Sequence, residues 1–201
     1  DPDFWDVPID MLKSKEYAKK RIHDINMRKA TPSKAVYAGN ADIYESPETT
    51  HYSVVDQWGN AVSVTTTINL SYGNGCVVEG AGFFLNNEMD DFSAKPGVPN
   101  AFGLVGNEAN AISPDKRPLS SMTPTIVLKN NKPFLIVGSP GGSTIITTTM
   151  QTILNVIDHK MNIKEAVCAS RFHSQWLPDV IQIEPRGLAE DVLTNLRSRG
   201  H

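Results

Sequence analysis

The hydrophobic period changes at residue 49, and that change limits what the chain can fold into. Residues 1–48 are polar and helix-leaning. Ser14 stands where it can cap a helix carrying Tyr17, Ala18, Ile22 and Ile25 on one face, and a tail punctuated by Pro and Gly follows. From Thr49 the period is 2. Residues 51–56 and 61–67 flank Gln57-Trp58-Gly59-Asn60, and residues 125–129 and 133–138 flank Asn130-Asn131, which predicts two hairpins. Helical spacing then runs from 143 to about 158, with Ile146, Met150, Ile153, Leu154 and Ile157 expected inward, and again over 163–169 and 189–199. A strand over 180–184 separates the last two helices. Strands in a run followed by helices predict an α+β sandwich with antiparallel sheet, rather than a doubly wound parallel one. The boundary at 48/49 divides the chain into a region 1–48 and a region 49–201.

Composition removes several function classes. A formal charge of −3 with no long Lys/Arg run argues against nucleic acid or an anionic membrane as partner. No apolar run approaches the ~20 residues of a membrane helix. The chain begins at Asp1 without an initiator Met or a signal-like segment, so it reads as a piece of a longer protein. Cys76 and Cys168 lack metal-like spacing and are expected to be buried free thiols rather than a disulfide; no metal or cofactor is expected.

Five polar groupings remain once the scaffold is subtracted. The first is Thr49-Thr50 at the start of a strand. A threonine hydroxyl is a poor nucleophile unless a base takes its proton, and a chain-terminal threonine can use its own α-amine. That amine titrates at roughly 7.7–8.0, so much of it is available as base near neutral pH. The Glu48–Thr49 bond is then a candidate cleavage site. The second is Thr67 and Asn69, two residues apart and so on one face. The third is Glu88, Asp90 and Asp91 at a strand exit, which suit a Ca²⁺ ion, a helix cap, a substrate ammonium or a solvated loop. The fourth is Ser120-Ser121, bracketed by Pro118 and Pro124, whose hydroxyls can donate to a carboxylate. The fifth is Gly138-Ser139-Pro140-Gly141-Gly142-Ser143 between strand and helix. It has no P-loop lysine, and Gly141 and Gly142 permit the close backbone approach that an oxyanion hole requires.

Together these segments resemble the γ-glutamyltranspeptidases of the N-terminal nucleophile hydrolase superfamily. The resemblance rests on TTHYSVVD, on Thr67 and Asn69, on FLNNEMDDFS, DKRPLSSMTPTIV, GSPGGS and RFHSQWLPD, and covers nearly the whole chain. It implies an αββα four-layer sandwich, incomplete in this fragment, with residues 1–48 as the end of a large subunit and 49–201 as a C-terminally truncated small subunit. It also implies a precursor that cleaves itself before Thr49 to give a heterodimer with the rest of the large subunit, in a bacterial periplasmic or secreted setting.

The resemblance further implies the roles. Thr49 attacks the γ-carbonyl of glutathione or another γ-glutamyl compound, and Thr67 orients its hydroxyl. Gly141 and Gly142 stabilise the oxyanion. Asn69, Glu88 and Asp91 hold the α-ammonium, and Ser120 and Ser121 hold the α-carboxylate. Water, an amino acid or a dipeptide accepts the γ-glutamyl group. Glu88 replaces a glutamine of some members, and the run 96–103 resembles a lid loop in which Phe102 stands where Tyr is common. The large-subunit arginine that pairs with the carboxylate lies upstream of Asp1, so this chain alone is expected to have little activity. Three other readings are a hydrolase acting on poly-γ-glutamate or a β-lactam side chain, a non-catalytic binding module, and a Ca²⁺-binding domain built on Glu88, Asp90 and Asp91. The free-amino-acid clamp argues against the first, the intact Thr49–Thr67 pair against the second, and the lack of EF-hand spacing against the third.

Overall fold

The computed structural model describes residues 1–23, 25–36, 49–98 and 106–201. The Glu48–Thr49 bond and Phe102 of the lid-like run therefore lie outside the described residues. Two short helices open the chain, α1 (Ile9–Lys13) and α2 (Lys15–Ile22). Ser14 caps α2 as its position predicts, accepting from the Tyr17 N–H at 3.0 Å. The expected apolar face buries nothing, since Ile22 and Ile25 are both well exposed. α1 was not expected from the sequence.

Both predicted hairpins form, because each turn is specified locally. β1 (Thr50–Val55) pairs antiparallel with β2 (Ala61–Thr66). The Asp56 carboxylate closes the connection by accepting from the N–H groups of Trp58 and Asn60 at 2.9 and 2.8 Å, and Gly59 supplies a φ of 87°. β3 (Thr125–Lys129) pairs with β4 (Lys132–Val137) through Asn130 and Asn131 at φ 54° and 59°, the pair of left-handed residues that a tight I′ turn requires. A bulge interrupts this second ladder between Val127 and Leu128.

Three layers follow from side-chain parity. His51, Ser53, Ser63 and Thr65 share one face of the first hairpin, which lies on the Ile136/Gly138 side of β4. There Ser53 donates to the Ile136 carbonyl at 3.2 Å and Ser63 to that of Val137 at 3.3 Å. The His51 ring occupies the space a Cβ at Gly138 would need. Leu135 and Val137, on the opposite face of β4, are buried with Ile145 of α3 (Thr144–Ile157), and Ala166 of α4 (Ile163–Cys168) is buried as well. α4 begins with a reciprocal cap in which the Asn162 side chain accepts from the Glu165 N–H and the Glu165 carboxylate from the Asn162 N–H, both at 3.0 Å. A two-residue ribbon, β5 (Phe172–His173) with β6 (Gln182–Ile183), and α5 (Glu190–Ser198) complete the chain. The class is α+β, and sheet, sheet and helix of the four-layer arrangement are present among the described residues.

Two expectations are corrected. The stripe Ile146, Met150, Leu154 and Ile157 does not face inward; Ile146 and Met150 are 50% and 51% exposed. α3 instead buries Ile145, Thr149 and Thr152, and its threonines can be buried because their hydroxyls are satisfied, Thr152 donating to the Thr148 carbonyl at 2.9 Å. Cys76 and Cys168 are free thiols, but both are exposed, one in the loop after β2 and the other at the end of α4.

The first region is tied to the second. Trp176 Nε1–H donates to the carbonyls of Ser33 and Val36 at 2.9 and 3.1 Å, and Asp179 accepts from the Ser33 N–H at 2.8 Å. Among the described residues no helix is long and apolar enough to cross a membrane.

Candidate active site

The ladder of the first hairpin places the first two site residues. Thr50 pairs with Thr66, so the register carried one residue further sets Thr49 opposite Thr67. Thr49 and Thr67 line one cleft together with Asn69, Asp91, Ser120, Ser121 and Gly142. Seven residues spread over almost a hundred positions are thus brought to a single wall. Met122, Ser143 and Ile145 complete it.

Each loop is held by its own backbone chemistry. Asn69 is buried at a φ of 73°, a left-handed conformation that Asn tolerates better than most residues, and its N–H donates to Thr67 Oγ1 at 2.9 Å. Its amide donates to the Asn87 carbonyl at 3.1 Å, while Asn87 Oδ1 accepts from the Leu70 N–H at 3.1 Å. The exit of β2 is therefore stapled to the segment that carries the acids. That segment is a single 3-10 turn, Glu88–Asp91. Asp91 reaches the cleft and Glu88 does not; Glu88 stands behind it, with a hydrogen bond between the two carboxyl groups.

Burial, reinforced by the charge and hydrogen bond of Asp91, pushes the Glu88 carboxyl up to about 7. Burial also raises Asp91, against the hydrogen bond from Glu88. Among the described residues Glu88 Oε1 is buried without a partner. Glu88 therefore keeps its proton up to about 7 and donates it toward Asp91. Among the described residues no three His, Cys, Asp or Glu side chains converge on a possible metal position.

The serine loop depends on Asn110, which sequence reasoning missed. Asn110 is buried, donates to the Asp91 carbonyl at 2.7 Å and accepts from the Leu119 N–H at 3.0 Å. One amide thus ties the acid turn to the residue before Ser120. Ser120 Oγ then accepts from the Met122 N–H at 3.1 Å, which turns the loop back toward β3.

At the far wall, Gly141 and Gly142 take φ 131° and 55°, which favour glycine. Their carbonyls accept from the N–H groups of Thr144 and Ile145 at 3.0 and 3.2 Å. These bonds commit both carbonyls to the first turn of α3, whose N-terminus carries the positive end of the helix dipole. Gly142 lines the cleft, whereas Gly141 does not. Nearby, His51 is bonded to Thr65 Oγ1 at 2.8 Å and Ser53 Oγ at 3.1 Å, and burial holds its imidazole below the usual range. It packs the first hairpin onto β4 and is not part of the cleft wall.

Comparisons with known proteins place the chain in a family. A family model described as gamma-glutamyltranspeptidase matches residues 1–201. The glutathione hydrolase proenzyme of Escherichia coli (strain K12) is 54% identical over 200 residues, covering 100% of this chain and 34% of that protein. A crystal structure of a mutant Helicobacter pylori gamma-glutamyltranspeptidase shares 68% identity at a TM-score of 0.74, over 76% of this chain and 82% of that one. A cephalosporin acylase from Bacillus halodurans superposes over 100% of this chain and 33% of its own, at 27% identity and a TM-score of 0.76. The chain spans about a third of the length of the curated relatives it matches.

Proposed function

This chain belongs to the gamma-glutamyltranspeptidase family, and from that premise we propose that it is the part of a self-cleaving γ-glutamyl hydrolase and transferase that carries the nucleophile, the oxyanion donors and most of the amino-acid clamp. The observation that carries the reading is the convergence of Thr49, Thr67, Asn69, Asp91, Ser120, Ser121 and Gly142 on one cleft. A hydroxyl, an anionic pair, two more hydroxyls and a glycine turn at a helix N-terminus match the parts of a γ-glutamyl amide: carbonyl, α-ammonium, α-carboxylate and developing oxyanion.

The precursor is proposed to split at Glu48–Thr49, which frees the Thr49 α-amine. That amine takes the Oγ proton as Oγ attacks the γ-carbonyl carbon, with Thr67 orienting the hydroxyl. The N–H groups of Gly141 and Gly142 stabilise the tetrahedral oxyanion, Gly142 from the cleft wall and Gly141 from the same turn. The C–N bond then breaks, the ammonium of Thr49 returns its proton to the departing amine, and a γ-glutamyl ester remains on Thr49. Water, deprotonated by the same amine, releases glutamate; an amino acid or dipeptide attacking instead gives transfer. Asp91, supported by Glu88 and Asn69, holds the α-ammonium, and Ser120 and Ser121 donate to the α-carboxylate. Glutathione is the proposed donor, and the remainder of the large subunit the proposed permanent partner. The ammonium clamp supports a free γ-glutamyl donor over the acyl groups of the more distant cephalosporin acylase.

The test is Thr49→Ala in the full-length precursor. Wild type is expected to appear as two pieces on a denaturing gel and to hydrolyse a γ-glutamyl anilide. The variant is expected to stay one piece and be inactive; cleavage of the variant at Glu48–Thr49 would overturn the mechanism.

A further inference from the structure

We propose that His173 and Gln175 are positioning residues for the Gly141-Gly142 turn, acting through Ser143; the inference rests on the reading of that turn as the source of oxyanion donors. Ser143 occupies the N-cap position of α3, where a serine side chain ordinarily accepts from an N–H in the first turn. Here it makes no such cap bond. It is buried, and its Oγ instead donates to Gln175 Oε1 at 2.5 Å. That same oxygen lies 2.8 Å from Nε2 of His173, which is also buried. The other ring nitrogen, Nδ1, lies 2.8 Å from Thr147 Oγ1, one turn further along α3.

The chain of contacts therefore leaves α3 at Ser143, passes through Gln175 and His173, and returns to α3 at Thr147. Gln175 Oε1 has no proton, so both of its neighbours donate: Ser143 through its hydroxyl and His173 through Nε2–H. That fixes the ring's donor edge toward Gln175. Ser143 is covalently next to Gly142 and lines the same cleft. A tether on its side chain sets where the preceding N–H groups stand, and oxyanion stabilisation depends on that position to within a fraction of an ångström. Gln175 Nε2 makes no hydrogen bond among the described residues. The amide is thus held by its acceptor alone.

An oxyanion donor acts on the transition state, so loosening it lowers kcat and leaves the donor's KM in place. The experiment uses the full-length protein with Ser143→Ala, Gln175→Met and Gln175→Glu, assayed with a γ-glutamyl anilide. Gln175→Met keeps the volume and removes the acceptor; Gln175→Glu keeps the acceptor and replaces the unpartnered Nε2. The expected result is a fall in kcat of about tenfold to a hundredfold for Ser143→Ala and Gln175→Met, with KM within about twofold. The double variant is expected to be no worse than either single one, and Gln175→Glu to recover most of the loss.

Losses that multiply in the double variant, a rise in KM at constant kcat, or no recovery in Gln175→Glu would overturn the proposal. Ser143→Ala removes one oxygen and keeps the decision open if Gln175→Met does not fold, which thermal melting reports. A wild-type protein without γ-glutamyl activity would overturn the functional reading itself. Active wild type with unchanged variants would overturn only the positioning role.

Discussion

The proton that Glu88 donates toward Asp91 ties substrate affinity and stability to pH in opposite senses. Glu88 keeps its proton up to about 7, and a donor's α-ammonium favours loss of that proton. KM for a γ-glutamyl anilide should therefore fall as the pH rises through about 7, and Glu88→Gln should flatten that dependence. A steady-state series across that range, wild type against variant, checks it. Stability moves in the opposite sense. The folded Glu88 binds its proton more tightly than the unfolded chain does, so its contribution is whole below about 4.5 and is lost as the pH rises toward 7. Asp56 and Asp179, held low chiefly by the Asn60 side chain and by the Ser33 backbone N–H respectively, lose their contribution only as the pH falls below the usual carboxylate range. Asp91 itself should bear directly on the ammonium. Charge-assisted hydrogen bonds are worth roughly 1.5–3 kcal/mol, so Asp91→Ala should lower kcat/KM at least about tenfold for a γ-glutamyl donor. A glutaryl anilide, which lacks the α-amine, should be affected little; equal losses would make Asp91 structural.

At the scale of elements, Asn110 joins two loops that share no strand, and Asn110→Ala would leave the Asp91 carbonyl and the Leu119 N–H without it. Leaving a buried polar group unpaired costs about 1–3 kcal/mol. The expected result is a raised KM with self-cleavage at Thr49 preserved, read from one kinetic assay and one gel. Elements specified by near neighbours were legible in the sequence: both hairpins from their turn residues, the Ser14 cap, and the extent of α3 from its helical spacing. Those decided at long range were not. β5 is two residues long, and its strand character exists only against β6. The buried side of α3 differs from the apolar stripe because its buried threonines find partners, Thr152 in the Thr148 carbonyl and Thr149 in the Thr123 hydroxyl, whereas apolar periodicity alone points to the other side. Thr49 and Asp91, which line the cleft, were legible because short motifs carry them. Asn110 and Gln175 were missed because each joins a partner distant in sequence, Leu119 nine residues from Asn110 and Ser143 thirty-two from Gln175.

For the whole molecule, the buried core is small. Phe92, Leu135, Val137, Ile145 and Ala166 are its buried apolar residues among those described. By contrast Tyr52, Val54 and Val62 on the outer side of the first hairpin are about half exposed, as is the outer stripe of α3. Two apolar faces on opposite sides of one sandwich favour association with whatever can cover them. The isolated 201-residue chain is therefore expected to bind an apolar dye strongly, to scatter light increasingly with concentration, and to show little γ-glutamyl transfer. Supplying the rest of the full-length protein should suppress dye binding and scattering together, and a monodisperse, dye-silent isolated chain would contradict this. A different consequence follows from the anchoring of Ser33 and Val36 by Trp176 and Asp179. Only the twelve residues 37–48 separate that anchor from the carboxyl end that cleavage would create, a leash of at most ~40 Å. Most proteolytic leaving groups diffuse away, but this one would stay leashed to the body that released it, at an effective concentration on the order of millimolar.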